Sequence, residues 1–179
     1  MGTTSVIPVV ADAGPLIHLQ EIDALKFLAS FDPLYVPEQV WEETVGHGRV
    51  HTDNLRALSS LRRVTVSHDE CDHFVATNAL HHLHLGERAC LALCARDGIN
   101  TLLTDDLAVR DAAKQLGVQP VGSLGVIIRA FHMHNIEHGE AETLLRRLQM
   151  TSSLFVTDTI VEMAIERLRS DDSRDYDST

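Results

Sequence analysis

The residues in this sequence best able to do chemistry are acids, each placed at the edge of an apolar run. Asp12 ends Val9-Val10-Ala11, and Glu42 and Glu43 lie in Glu38-Gln39-Val40-Trp41-Glu42-Glu43-Thr44-Val45. Glu87 opens Ala89-Cys90-Leu91-Ala92-Leu93-Cys94-Ala95, and Asp105-Asp106 follow Thr101-Leu102-Leu103-Thr104. Carboxylates packed together raise one another's pKa unless a cation neutralises them. A convergent set of Asp and Glu without Cys suits a hard cation such as Mg²⁺ or Mn²⁺, and Mg²⁺ keeps several waters, so few protein ligands suffice. Each acid also has an ordinary alternative. Asp12 and Asp105 are each placed to cap the helix that follows, Glu42 and Glu43 can be solvated helix residues, and Glu87 suits the positive end of its helix.

The elements that must position these acids follow from the pattern. Val9 to Asp12 reads as a buried parallel strand delivering a carboxylate to its C-terminal end, where open α/β sheets bind ligands. Gly14 and Pro15 make a tight turn into two short amphipathic helical segments, Leu16 to Leu19 and Ile22 to Leu28, the second capped by Asp23. Pro33-Leu34-Tyr35-Val36-Pro37 is a strand bracketed by prolines, and the helix that follows stops at Gly46. Leu55, Leu58 and Leu61 suggest a surface helix, Val64-Thr65-Val66 a third strand, and Cys71 to Leu80 a helix.

The helix opened by Glu87 is nearly apolar all round and belongs against the sheet at the centre of the fold. Thr101 to Thr104 is the next buried strand. A helix through Val109, Ala112, Ala113 and Leu116 ends at Gly117, and Val118 to Val121 is a fifth strand. Gly122 to Ile128 turns into another helix, and two amphipathic helices follow, at about 140–148 and 157–168. The expected fold is α/β, three layers, with a mainly parallel sheet of about five strands covered on both faces. Residues 1–170 form one domain with no internal repeat or linker, and 171–179 form an acidic, disordered tail.

Composition is consistent with this. At 179 residues the chain can bury a real core, and aromatic residues at 4% leave that core to Leu, Val, Ile and Ala. The net charge of −11 gives no broad basic surface for nucleic acid, although local fields still count over a Debye length of about 10 Å. Cys71, Cys90 and Cys94 have no zinc or redox spacing and read as buried structural thiols of a reducing compartment. With no basic N-terminal region and no window near the roughly 18 apolar residues of a span, the expected location is cytoplasmic.

Other chemistries fit less well. The eleven histidines include His81-His82-Leu83-His84 and His132-Met133-His134, but no Cys framework or HExxH supports zinc. The first cluster reads as solvated loop, near enough to Glu87 to leave a substrate contact open. A haloacid-dehalogenase-type phosphatase needs a second Asp where Gly14 stands, and a receiver domain needs an early acidic pair and a late strand-end Lys that are not found.

Four segments together carry a family resemblance. Val10-Ala11-Asp12-Ala13-Gly14-Pro15-Leu16-Ile17, Val36-Pro37-Glu38-Gln39-Val40-Trp41-Glu42-Glu43, Leu85-Gly86-Glu87-Arg88-Ala89 and Leu103-Thr104-Asp105-Asp106-Leu107-Ala108-Val109-Arg110 resemble the PIN-domain family. The continuations Ala112 to Val118 and Val121-Gly122-Ser123-Leu124-Gly125 resemble a prokaryotic branch related to VapC-type toxins, and the resemblance spans roughly 6–130.

It implies a Mg²⁺- or Mn²⁺-dependent ribonuclease whose acids are Asp12, Glu43 (in preference to Glu42, by its spacing from Val40), Glu87 and Asp105, with Asp106 as an additional ligand. It also implies hydrolysis leaving a 5′-phosphate and a 3′-hydroxyl. RNA is the implied substrate, and a small antitoxin and a homodimer are the implied partners. Arg88 and Arg110 are candidates to contact the backbone phosphate, with a surface or ion-pair role as the alternative. Ala13 and Gly14 replace the small hydroxyl residues often found after the first Asp, so a polar contact to Asp12 is expected to be missing. The competing function is a binding module for RNA or protein on the same fold, without useful metal affinity.

Overall fold

The structure is a computed structural model and describes residues 7–176, with side chains as far as residue 170. Its centre is β1 (Val9–Ala11), three residues with no exposed surface. A strand buried on both faces has no polar side to show, and this one has none. β1 pairs in parallel with β2 (Leu34–Pro37) on one side and β4 (Thr101–Leu103) on the other, so that Val10 lies between Tyr35 and Leu102. β3 (Leu61–Val64) adds to β2 and β5 (Gln119–Val121) to β4, giving the order β3-β2-β1-β4-β5 with every pairing parallel. The expected α/β architecture is therefore present, with a fully parallel sheet.

Helices cover both faces. α5 (Leu85–Asp97) crosses β1, β2 and β4, and packs against α2 (Glu38–Trp41) and α4 (His68–Asn78). Ala89 to Cys94 are buried along it, as an all-round apolar helix must be. α1 (Ala13–Glu21), a 3₁₀ turn (Leu25–Ser30), α7 (Ser123–His132), α8 (His138–Met150) and α9 (Asp158–Tyr176) pack on one another. α3 (Thr52–Arg56) joins the 3₁₀ turn, and α6 (Leu107–Gln115) lies along β5. All three cysteines are buried and free, as expected. Among the described residues no helix is long and apolar enough to cross a membrane.

Several local expectations need correction. The third strand is Leu61–Val64, not Val64 to Val66, because its register is fixed by pairing with Leu34 to Pro37 and not by its own apolar run. Edge position lets it carry Arg62 and Arg63, the latter lying over the Trp41 ring and paired with Glu38. Asp23 caps nothing. It has a left-handed φ of 58°, and the 3₁₀ turn begins from Ala24 with no side-chain cap. α4 starts at His68 because Ser67 and Glu70 form a capping box ahead of it. α9 continues beyond Leu168 to Tyr176, so the expected tail begins as helix; positions 177–179 lie outside the described residues.

Candidate active site: a carboxylate cavity at the carboxyl ends of the strands

The sheet's hydrogen-bond ladder stops at the acids. Asp12 N–H donates to the Leu103 carbonyl at 2.9 Å and Thr104 N–H to the Val121 carbonyl at 2.9 Å, so the residues after β1 and β4 are fixed side by side. This is the point where the strand order reverses direction, a crevice that open α/β sheets leave for ligands. A cavity of about 790 Å³ occupies it, lined by Asp12, Glu43, Glu87, Asp105 and Asp106.

Asp12 is 4% exposed. Its Oδ1 accepts the Ala13 N–H at 2.8 Å and its Oδ2 accepts the Thr104 hydroxyl at 3.0 Å. The hydroxyl contact expected to be missing after Asp12 is thus supplied from the neighbouring strand. Burial pushes the Asp12 carboxyl up to about 7. The Ala13 and Thr104 donors oppose that rise, while the charges of Glu87 and Glu43 add to it.

Glu43 arrives on a π-helical turn (Glu42–Gly46) that continues α2. Glu43 is half-buried in the cavity and Glu42 is exposed outside it, in agreement with the spacing from Val40. Burial raises the Glu43 carboxyl and the Gly86 N–H opposes that; Glu87 raises it further, and His84 and His47 lower it. Gly86 leaves room for this placement of Glu43, since a Cβ there would lie 2.8 Å from both Glu43 oxygens.

Glu87 stands in the first turn of α5 and accepts the His84 N–H at 2.7 Å. Its capping role and its place on the cavity hold together. For the fourth strand the two acids divide the work. Asp106 caps α6 by accepting the Val109 N–H at 3.0 Å and is exposed at the cavity's edge, which leaves Asp105 free to face inward. Asp105 takes three donors: Ser123 N–H to Oδ1 at 2.8 Å, Ser123 Oγ to Oδ2 at 2.6 Å, and contact with His18 Nδ1 at 2.8 Å.

Among the described residues, no group of three His, Cys, Asp or Glu side chains stands ready-made to hold an ion. The donor set nevertheless fits a hard divalent cation. It is all carboxylate oxygen on the cavity side, and burial and mutual charge hold two of its members above the usual carboxylate range. Mg²⁺ needs only one or two of them, with waters filling the remaining positions.

The arginines are placed elsewhere. Neither Arg88 nor Arg110 lines the cavity; Arg88 donates to the His81 carbonyl and Arg110 to the Thr104 carbonyl at 3.1 Å. Arg110 therefore braces the strand end that carries Asp105. Sequence reasoning missed His18, Thr104, Ser123 and the segment Ser153-Leu154-Phe155, while His84 lines the cavity as the substrate contact left open for its cluster would require. His18 was legible in principle: it stands one helical turn after Gly14, and a Cβ on Gly14 would lie 3.6 Å from its Cε1. The 153–155 segment comes from the connection between α8 and α9, beyond the motifs, and carried no local signal.

Comparison with known proteins agrees with the fold. No curated protein matches the chain. The DUF3368 family model, a PIN domain, matches residues 8–170, a span that takes in β1, the whole sheet and the loop to α9. PIN domains are generally nucleases. Over nearly its whole described length, then, this chain belongs to the PIN-domain family.

Proposed function

We propose that this protein is a Mg²⁺- or Mn²⁺-dependent endoribonuclease that hydrolyses phosphodiester bonds in single-stranded or structured RNA, as the toxin of a toxin–antitoxin pair. The observation that carries the reading is the meeting of Asp12, Glu43, Glu87 and Asp105 on one cavity at the carboxyl ends of β1 and β4. These four would hold the cation, with Asp106 as an additional ligand. When bound, such an ion lowers the pKa of a water and offsets charge on a leaving oxygen.

The chain's own residues prepare that step. Burial raises the Asp12 carboxyl to about 7, so near neutral pH it is only part ionised, and a bound cation would favour the ionised form. Thr104 holds Asp12 in position through Oδ2, and Gly86 N–H holds Glu43. His18 and Ser123 fix Asp105 from two helices, so this acid cannot swing out of the cavity. The net charge of −11 favours a partner with a basic segment, which fits a small antitoxin; a homodimer belongs to the same proposal.

The test is a divalent-ion titration with single-stranded RNA. Cleavage is expected only with Mg²⁺ or Mn²⁺, leaving 5′-phosphate ends, and is expected to fall to background in Asp12→Asn. RNA binding that needs no metal, with no cleavage at any metal concentration, would point instead to a binding module on this fold.

A further inference from the structure

The cavity has five carboxylates on its wall and no Lys or Arg, so its field repels a bare polyanion. A nucleic acid bound here needs an attraction that does not depend on phosphate. The mouth of the same cavity supplies one. Phe155 is 93% exposed, and Leu107 at 77% and Leu85 at 42% stand with it on the lining. An aromatic ring left almost wholly in water is costly, and this one is not on a loose segment. Ser153 donates its N–H to Glu21 Oε2 at 2.6 Å and its hydroxyl to Glu21 Oε1 at 2.9 Å, and Leu154 N–H donates to Ser152 Oγ at 3.2 Å. The loop is tied to the end of α1 and offers its phenyl ring to the opening.

We propose that Phe155, with Leu107 and Leu85 on the same cavity lining, is a stacking platform for an unpaired base of the RNA whose backbone enters the carboxylate cavity. This rests on the nuclease reading and adds how the substrate is held, by an unpaired base on the Phe155 ring. Base–aromatic stacking tolerates any sequence because every base has a flat face, and a duplex offers no free face to the ring. Binding that gains little from phosphate neutralisation also responds little to salt.

The experiment compares wild type, Phe155→Ala and Phe155→Trp on an unstructured RNA of about ten nucleotides, a length that spans one stacking site, and on the same strand in a duplex. Expected for Phe155→Ala is a KM for the single strand raised about tenfold with kcat nearly unchanged. Phe155→Trp restores KM, and its added tryptophan fluorescence is quenched by the single strand even in EDTA, where nothing is cleaved. Affinity for the single strand changes little between low and moderate salt.

An unchanged KM in Phe155→Ala overturns the platform while leaving the nuclease reading intact, and a shift in that variant's oligomeric state instead would assign the rim to a second copy. A steep loss of affinity with salt, or equal loss on duplex and single strand, overturns it as well. If wild type cleaves no RNA and the Trp variant is not quenched, both readings fall.

Discussion

Ser123 holds Asp105 by both oxygens, its backbone N–H on Oδ1 and its hydroxyl on Oδ2. Ser123 is completely buried at the first turn of α7, so this contact ties the fourth acid to a helix that packs on α1, α8 and α9. Ser123→Ala removes one of three donors and leaves the backbone bond and His18. Its expected cost in stability is about 1 kcal/mol, read in a denaturant melt. Mn²⁺ affinity, read by calorimetry, is expected to fall roughly 10- to 100-fold, as when a residue supporting a metal ligand is lost.

Gly122→Ala attacks the same acid from another side. The backbone there is extended, so alanine is conformationally acceptable, but its Cβ would lie 2.8 Å from Asp105 Oδ1. Cleavage is expected to drop more than in Ser123→Ala, since the carboxylate must move and not merely lose a partner. Side-by-side kinetics of the two variants decide this.

Asp12 makes stability depend on pH in an unusual direction. Its carboxyl is raised by burial from 3.8 to about 7, so between those values the folded chain keeps a proton that the unfolded chain has released. In the absence of metal, the Asp12 contribution to stability, on the order of 4 kcal/mol, is therefore present in full below about pH 4 and is lost as pH rises to about 7. The upward shift of Glu43 acts with the same sign. Asp12→Asn, which keeps an acceptor for Ala13, is expected to flatten this slope and raise the metal-free Tm at pH 8 by several degrees while abolishing cleavage. Thermal melts from pH 4 to pH 8 in EDTA measure it; a slope that Asp12→Asn leaves unchanged would assign it to other groups.

Gly86→Ala separates folding from function. Alanine suits a helix better than glycine by about 1 kcal/mol, and the atoms its Cβ would meet are the far end of the flexible Glu43 side chain. The melting temperature is expected to hold or rise, and metal-supported cleavage to fall because Glu43 is displaced. Glu42→Ala, at an exposed site outside the cavity, is the matched control and is expected to leave cleavage intact.

Glu21→Ala frees the loop that carries Phe155. Because the contact is exposed, global stability is expected to change by less than about 1 kcal/mol. Proteolysis of the 151–157 connection should speed up, and KM for RNA should rise with little change in kcat.

Much of this molecule could be read from local pattern, and the exceptions share a cause. Apolar runs that stop at an acid mark the places of β1 and β4, and the apolar run Ala89 to Cys94 marks α5 as central, because burial on every side leaves its mark on every residue of it. β3 was misplaced because an edge strand takes its register from its neighbour, and Arg62-Arg63 do not look like sheet. The acids were legible as a set, but which of a pair faces the cavity is decided by capping. Asp106 takes the Val109 N–H and thereby releases Asp105, a choice the sequence left open. Arg88 and Arg110 lie off the cavity wall and each donate to a backbone carbonyl, placements that depend on the fold and not on local pattern. The Phe155 loop reaches the cavity through Glu21, far away in the chain, and no periodicity reports such a contact.

The reversal of strand order between β1 and β4 has a consequence for how the protein could be divided. Asp12 and Glu43 belong to the part of the chain that builds β1, β2 and β3, whereas Glu87 and Asp105 belong to the part that builds β4 and β5. The exposed His81-His82 lies between the two parts, and within the sheet they are joined only where β1 meets β4. A chain severed there would yield two fragments, each holding only part of the acids and neither a cavity. Its activity would then report their reunion, making the site a sensor of its own assembly.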